Sequence, residues 1–257
     1  MDPRLRLDVA DGLAAIALDR PEKRNAIDQA MWEAIPGAVA AAIGTAGVRV
    51  VLLTSSTPGI FCAGADIGEF AARAGDDGWW AANRRAIRAA QKALVEAPLP
   101  TIAVVDGDCV GGGCGLALAC DLRVASPRSR FGVTPARLGL VYPLHDTRLL
   151  VDLVGPAQAK RMLYSARLLS AAEAATIGLV TELADDPLAA ARALALEMCQ
   201  VSGDSQRWTK ATIARILAGV TDDDAESEAL FDLAREGPDF AEGVAAFLEK
   251  RPARFRR

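Results

Sequence analysis

The chain has 257 residues, of which 51% are hydrophobic and 24% are charged, and its formal net charge is −4. This composition is typical of a globular protein and excludes the disordered and fibrous classes. The negative charge argues against a non-specific nucleic-acid binder. No uninterrupted apolar run approaches the roughly 18 residues of a membrane span, so neither a nucleic acid nor a membrane is expected as a partner.

Histidine and cysteine usage limits the possible chemistry further. The chain has one histidine and five cysteines, with no CxxC pair. No metal site and no histidine-centred triad are therefore expected. An odd number of unpaired cysteines fits reduced thiols, and the first residues carry no apolar segment typical of a secretion signal. We expect a cytoplasmic protein.

Strand and helix signals alternate along the first part of the chain and then give way to helices. An opening hairpin, a capped helix that Pro36 bends or divides, and further buried strands predict an α/β fold. The predicted elements, in chain order, are strands 5–9 and 13–18, a helix from Asp28 to 43, strand 48–54, helix 80–96, strand 101–105, a helix from about 112, strand 122–125, helices 146–153 and 157–164, a helix opened by the capping box at 170–173, strand 179–183, and helices 187–201, 205–218, 223–235 and 239–250. We divide the chain into an α/β body (1–200) and a helical C-terminal region (201–257).

Two turns of small residues directly follow buried strands. The first is FCAGADI (61–67), and the second is DGDCVGGGCG (106–115), which opens a helix. Glycine and alanine allow the backbone to approach a ligand, and a helix N-terminus stabilises an anion. Two N–H groups converging on one oxygen would form an oxyanion hole. Each motif alone is equally compatible with a plain tight turn.

Two other glycine-motif chemistries are disfavoured by spacing. Gly111 and Gly113 begin a G-x-G-x-x-G pattern, but Leu116 stands where its third glycine belongs, so a dinucleotide site is not expected. The serine-hydrolase elbow G-x-S-x-G is absent from the sequence.

The chain resembles the crotonase (enoyl-CoA hydratase/isomerase) superfamily over nearly its whole length. The matching stretches are LDRPEKRNAID (18–28), FCAGADIGEF (61–70), PTIAVVDGDCVGGGCGLALACDLRVAS (100–126), RFGVTPARLGL (130–140), SAAEAATIGLV (170–180) and EGVAAFLEKRPARF (242–255). The resemblance implies an α/β, ClpP-like spiral of ββα units with a helical C-terminal trimerisation region. It also implies a homo-oligomer, either a trimer or a dimer of trimers.

The ligand that the resemblance implies is an acyl-CoA thioester, so coenzyme A enters as part of the substrate and no tightly bound cofactor is expected. The backbone N–H groups of Ala65 and Gly112 are expected to hold the thioester carbonyl. Arg24 matches a position that often contacts the phosphates of coenzyme A. The other implied coenzyme A contacts are Ala26, Ala63 and Ile67 along the nucleotide and pantetheine path, with Phe231, Phe247 and Lys250 closing the site from a neighbouring subunit.

The chain departs from the hydratase pattern at the positions that carry its chemistry. Hydratases of the family use two glutamates around a water, one as base and one as acid. Gly115 and Pro135 occupy these two positions. The aspartate of dienoyl isomerases and dehalogenases would fall at Pro143. Ordinary hydration is therefore not expected.

The segment 131–142, FGVTPARLGLVY, instead resembles the methylmalonyl-CoA decarboxylase branch, with its pattern T-P-x-x-L-G-x-x-Y. Loss of CO₂ from a malonyl-type thioester generates an enolate without a base, and a glutamate beside the departing carboxylate would repel it. Tyr142 is the expected proton donor, with His145 as the next candidate. Alternatively, Tyr142 is a packed core residue. That branch also has a pocket histidine where this chain has Ala65.

Three functions remain open from the sequence. The leading one is an acyl-CoA lyase that decarboxylates a malonyl-type thioester. The second is hydratase or isomerase activity with non-standard residues. The third is a non-catalytic acyl-CoA-binding homologue, which the two preorganised oxyanion donors disfavour.

Overall fold

The strands alternate between two sheets as the chain advances. The computed structural model describes residues 2–255. In that part of the chain the strands are β1 (Leu5–Ala10), β2 (Leu13–Leu18), β3 (Val50–Ser55), β4 (Ile60–Cys62), β5 (Thr101–Val105), β6 (Asp108–Val110), β7 (Leu122–Ala125), β8 (Arg130–Gly132), β9 (Leu169–Ser170) and β10 (Glu182–Leu183). The helices are α1 (Gln29–Gly44), α2 (Ile67–Ala72), α3 (Asp77–Val95), α4 (Gly112–Ala119), α5 (Leu144–Ser165), α6 (Ala171–Thr176), α7 (Pro187–Met198), α8 (Gly203–Leu217), α9 (Ala225–Glu236) and α10 (Pro238–Glu249).

Successive strand pairs extend both sheets together. The larger sheet has the order β1-β2-β3-β5-β7-β10, and the smaller has the order β4-β6-β8-β9. From β3 to β8, the first strand of each pair joins the larger sheet and the second joins the smaller. Strands β3, β5 and β7 are parallel, as are β4, β6 and β8. This is the predicted spiral of ββα units. The short strands β4 and β6 were read from the sequence as parts of glycine-rich turns.

The core forms where apolar runs meet the two sheets. β5 is buried throughout, as expected of a parallel strand covered on both faces. Helix α1 begins where predicted, because the Asp28 carboxylate accepts the Met31 N–H. Pro36 lies inside α1 and does not divide it. The largest fully buried side chains include Trp32, Phe61 and Phe131.

The two helices predicted at 146–153 and 157–164 are confirmed: they are the two halves of α5, separated by a break at Gly155 with φ 72° and ψ 165°. Pro156 follows the break, and proline cannot supply the N–H that a continuous helix needs there. The last strand, predicted at 179–183, is confined to β10, because residues 179–180 pack into the core without pairing in the sheet.

Helices α8, α9 and α10 expose large apolar side chains in the single chain. Phe231 on α9 is 71% exposed and Phe247 on α10 is 83% exposed. Such surfaces are typical of interfaces, and the homo-oligomer and the division at residue 200 remain predictions. Within residues 2–255, no helix is both long enough and apolar enough to cross a bilayer.

Candidate functional site

Two backbone segments meet where the small sheet ends. β4 and β6 are parallel neighbours, so their carboxyl ends lie side by side. Ala65 follows β4 and Gly112 follows β6. A Cβ placed on Gly64 would lie 2.9 Å from the Val110 carbonyl oxygen and 3.4 Å from the Gly112 nitrogen. A Cβ placed on Gly112 would lie 3.4 Å from the Ala65 nitrogen. The two predicted oxyanion residues are therefore brought together.

The amides of Ala65 and Gly112 are available to a ligand. Gly112 opens α4, and the first N–H groups of a helix have no partner within it. Ala65 forms a parallel bridge with Ile27 that uses the Gly64 carbonyl and the Asp66 N–H. Among the described residues, no protein acceptor takes either the Ala65 N–H or the Gly112 N–H. Two free donors at a helix N-terminus are suited to a developing oxyanion.

Trp32 forms a wall behind Gly112. Its side chain is fully buried, and a Cβ on Gly112 would lie 2.8 Å from its ring. Contacts that short do not occur without a shift of the ring or the helix. Glycine at 112 therefore allows α4 to begin close to Ala65, and the indole holds the helix in that position.

The loop of residues 20–27 runs along the segment that carries Ala65. Asn25 is fully buried and adopts a positive φ of 54°. Its side-chain amide donates to Ser55 Oγ at 2.7 Å and to the Phe61 carbonyl at 3.1 Å. The Ala63 N–H donates to the Arg24 carbonyl at 3.0 Å. These bonds hold the loop with Arg24 and Ala26 against the segment with Ala63 and Ala65, and Ile67 follows that segment as the first residue of α2.

The Arg24 side chain is exposed and is paired with a carboxylate. Its guanidinium lies 2.7 Å from the Asp108 carboxylate. The Arg130 guanidinium lies 2.8 Å from the same carboxylate. Two guanidinium groups around one carboxylate leave one net positive charge on this surface. Exposed ion pairs of this kind contribute little stability, so either arginine can turn to a phosphate at low cost. Arg130 therefore adds a second cation to this surface, and the sequence analysis did not identify it.

A buried polar cluster surrounds Gly115, one turn of α4 beyond Gly112. A Cβ on Gly115 would lie 2.5 Å from Gln91 Nε2, 3.0 Å from the Tyr142 hydroxyl and 3.1 Å from Asp146 Oδ1. The Gln91 amide donates to Asp146 Oδ1, which links α3 to α5. The side chains of Gln91, Tyr142 and Asp146, called here the Gly115 cluster, fill the space in which the family resemblance places a glutamate. Gln91 and Asp146 were missed from the sequence.

Burial controls the protonation of this cluster. It raises the pKa of Asp146, and the Gln91 bond and the nearby His145 offset only part of that rise. Burial and the Asp146 charge raise the pKa of Tyr142 well above its usual value. Among the described residues, no group meets hydrogen-bond geometry with the Tyr142 hydroxyl, although the Asp146 carboxyl faces it. Tyr142 is thus a buried, neutral phenol.

His145 precedes Asp146 in the first turn of α5 and is half-buried. Its Nε2 atom is enclosed, without a hydrogen-bond partner in the described part of the chain.

Three predicted site residues were expected to act from a neighbouring subunit. They lie on or at the end of α9 and α10: Phe231, Phe247 and Lys250. The single chain does not bring them to the hole.

Two cavities lined by described residues lie away from the Ala65 and Gly112 amides. The larger, of about 760 Å³, separates α8 from the ends of α4 and α5, and Leu118, Leu153 and Lys210 are among its lining residues. The smaller, of about 430 Å³, lies among α8, α9 and α10. Neither is lined by the free amides of Ala65 and Gly112, so the hole remains the candidate active site.

Comparison with known proteins agrees with this geometry. The model of the Enoyl-CoA hydratase/isomerase family matches residues 8–257. The chain belongs to the enoyl-CoA hydratase/isomerase family. It is accordingly an enzyme of the acyl-CoA-processing crotonase class, and its spiral fold is the one that the sequence resemblance implied.

Relatives of this family match almost the whole chain. The mitochondrial methylglutaconyl-CoA hydratase of Rattus norvegicus is 31% identical over 256 residues, covering 95% of this chain and 79% of its own length. The mitochondrial enoyl-CoA hydratase domain-containing protein 2 of Bos taurus is 35% identical, covering 95% and 84%. Among solved structures, an enoyl-CoA hydratase/isomerase family protein from Hyphomonas neptunium is similar with a TM-score of 0.95 and 44% identity, covering 98% of this chain and 97% of its own. These names describe hydratases and family members rather than a decarboxylase.

Proposed function

We propose that the protein decarboxylates a malonyl-type CoA thioester through an enolate held by the Ala65 and Gly112 amides. The observation that carries the proposal is the environment of Gly115: a tyrosine hydroxyl and one buried carboxyl surround the position at which the family resemblance implies a glutamate. Decarboxylation needs an electron sink and a later proton, and it needs no base to remove hydrogen from carbon. The free amides supply the sink.

The substrate carboxylate would lie on the Gly115 side of the thioester carbonyl. An ionised carboxylate there would repel it, whereas the raised pKa of Asp146 favours the neutral acid. Tyr142 remains a predicted catalytic residue. Its raised pKa makes its hydroxyl better suited to hydrogen-bonding the departing carboxylate than to giving up its proton.

Coenzyme A would bind along residues 20–27 and 63–67. Arg24 would contact its phosphates, and Ala26, Ala63 and Ile67 would contact its nucleotide and pantetheine parts. The Arg24 and Arg130 pair around Asp108 supports this arrangement, since a dianionic phosphate can replace the shared carboxylate partner. We further propose that Phe231, Phe247 and Lys250 complete the site from a second copy of the chain in a cytoplasmic homo-oligomer.

The second candidate is hydration or isomerisation with non-standard residues. The observation that favours it is that Asp146 brings one carboxyl to the Gly115 position, and relatives at 31–35% identity are named hydratases. Hydration needs a base for water and an acid for carbon. The Gly115 cluster offers one carboxyl and a phenol of raised pKa, which is a poor pair for that task.

A substrate panel tests the proposal. Purified protein is offered malonyl-, methylmalonyl-, ethylmalonyl- and crotonyl-CoA, with CO₂ release and the enoyl absorbance followed in parallel. We expect CO₂ from at least one malonyl-type ester and no hydration of crotonyl-CoA. Rapid hydration without CO₂ release would establish the second candidate. Tight binding of all four esters without turnover would instead identify a non-catalytic acyl-CoA-binding protein.

A further inference from the structure

We infer that Asp146 is a catalytic residue that delivers a proton to the α-carbon of the acyl group, and that Gln91 is its positioning residue. The substrate of this step rests on the proposed function, whereas the positions of the two side chains come from the structure itself. Neither residue stands at a position where the family resemblance places a catalytic group. The Gly115 cluster brings them to the site from α3 and α5.

The location of the carboxyl follows from the pitch of α4. Residues three apart on a helix have Cβ positions about 5–6 Å apart, and Gly115 is three residues beyond Gly112. Asp146 Oδ1 lies 3.1 Å from the Cβ point of Gly115. The carboxyl oxygen therefore lies within roughly 9 Å of the Cβ point of Gly112, the residue that carries the oxyanion donor. An acyl chain whose thioester oxygen occupies the hole would place its α-carbon between that donor and the carboxyl.

The carboxyl is held rather than free to rotate. Asp146 is 3% exposed and Gln91 is fully buried. The Gln91 amide donates to Oδ1, which leaves Oδ2 to carry a proton. Gln91 Oε1 has no hydrogen-bond partner within the described residues, so the amide orientation is set by Asp146 alone. A side chain on Gly115 would displace both groups.

The proposed step balances without any further reactant. The bond between the α-carbon and the substrate carboxylate breaks, CO₂ leaves, and the electron pair moves into the thioester enolate at the Ala65 and Gly112 amides. The Asp146 hydroxyl then gives its proton to the α-carbon, and the enolate returns to a thioester. Asp146 is left as a carboxylate and recovers one proton from solvent.

The pH dependence follows from the acid form being active. Burial is the main reason why the pKa of Asp146 is raised, so activity should be present below that pKa and fall as pH rises through it. The Gln91 bond lowers this pKa, and its removal should shift the loss of activity to higher pH. On the α3 side the carboxyl faces the neutral Gln91 amide. The titratable groups around the carboxyl and the adjoining tyrosine are Tyr142, His145, Cys109 and Cys114.

The test uses deuterium delivery to the product. Methylmalonyl-CoA is decarboxylated in D₂O by the wild type, Asp146→Asn and Gln91→Met, and the configuration of the monodeuterated propionyl-CoA is determined. Exchange of the α-protons of propionyl-CoA with D₂O is measured separately by NMR. Asp152→Asn is the matched control, because Asp152 lies on the same helix and pairs with Arg148 at its surface.

We expect one deuterated enantiomer from the wild type and from Asp152→Asn. Asp146→Asn should give racemic product and exchange α-protons about 10²-fold more slowly, within the usual range for a lost acid–base group. Gln91→Met should keep the configuration and shift the alkaline limb of its pH–rate profile upward, which a purely structural role would not do.

The outcomes separate this inference from the proposed function. Retention of one enantiomer and of wild-type exchange by Asp146→Asn would overturn the inference and leave decarboxylation intact. Asp146-dependent exchange without CO₂ release would support the inference and refute the decarboxylase. Wild-type protein that neither exchanges nor decarboxylates would overturn both.

Discussion

Replacing Gly115 with alanine tests whether the Gly115 cluster has the packing described here. In the interior of a helix, alanine is favoured over glycine by about 1 kcal/mol. At Gly115, however, the new methyl would lie 2.5 Å from Gln91 Nε2, with the Tyr142 and Asp146 oxygens at 3.0 and 3.1 Å. Gln91 has no free space to move into, because it is fully buried and bonded to Asp146.

The matched control is Gly37→Ala in α1, where an added Cβ meets nothing within 4 Å. Both substitutions gain the same helix propensity, so the difference between them reports the clash. Overpacking a buried site costs about 1–3 kcal/mol. For a chain of this length each kcal/mol corresponds to about 2–4 °C in Tm. Gly115→Ala should therefore melt several degrees below Gly37→Ala.

Differential scanning fluorimetry at one protein concentration measures both variants, and decarboxylation is assayed in parallel. Gly37→Ala should keep wild-type activity, whereas Gly115→Ala should lose it because the Asp146 carboxyl is displaced. Equal melting temperatures for the two variants would refute the packing argued here.

Three further predictions concern binding, turnover and assembly. Arg24→Ala should weaken coenzyme A ester binding and flatten its salt dependence in calorimetric titrations, whereas Arg128→Ala, which removes an exposed pair with Asp106, should change neither; equal salt slopes would contradict the phosphate assignment. Tyr142→Phe should raise KM for the malonyl-type ester with a smaller effect on kcat, as expected of a hydrogen bond to the substrate carboxylate that is already present before CO₂ leaves; an unchanged KM would make the tyrosine a packing residue. Sedimentation should show a trimer or a dimer of trimers at micromolar concentration. A monomer would contradict the prediction that the apolar faces of α8, α9 and α10 form subunit interfaces.

The close approach of the Ala65 and Gly112 segments could be predicted from the sequence because the signals for it are local. Each of the two turns follows a buried strand, and small residues in such a turn indicate a close approach of the backbone. The short strands β4 and β6 were missed, since three-residue strands next to glycine carry little periodicity. Their parallel pairing nevertheless brings Ala65 and Gly112 together, as the family resemblance implied.

The Gly115 cluster could not be predicted from the sequence in the same way. Gln91 and Asp146 are 55 positions apart and meet only when α3 and α5 pack against α4. A signal did exist: the buried face of α3 includes Ala90, Gln91 and Leu94, and that of α5 includes Asp146 and Leu150. A polar residue on an otherwise apolar stripe indicates a buried partner. In the first turn of a helix, however, aspartate is also an ordinary surface residue that complements the helix dipole.

The buried Asp146 also predicts a stability that depends on pH in an unusual direction. Its pKa in the folded protein is raised, chiefly by burial, above that of the unfolded chain. Its contribution to stability is therefore fully present below the unfolded pKa and is lost as pH rises through the folded pKa. Asp146→Asn removes this titration at nearly constant shape. Its free energy of unfolding should rise relative to wild type as pH increases, and the difference should disappear in acid.

A carboxylate with the opposite shift supplies the control. The Arg167 guanidinium and the Ser170 N–H hold the pKa of Glu173 at about 2, below its ordinary value of 4.5. Its contribution is present at neutral pH and is lost as pH falls toward 2, so Glu173→Gln should be destabilising at neutral pH and lose that effect in acid. Urea unfolding of both variants and the wild type at several pH values measures these slopes. If Asp146→Asn followed the same sign as Glu173→Gln, Asp146 would be a stabilising ionised group, and the neutral acid on which the proposed chemistry depends would not exist.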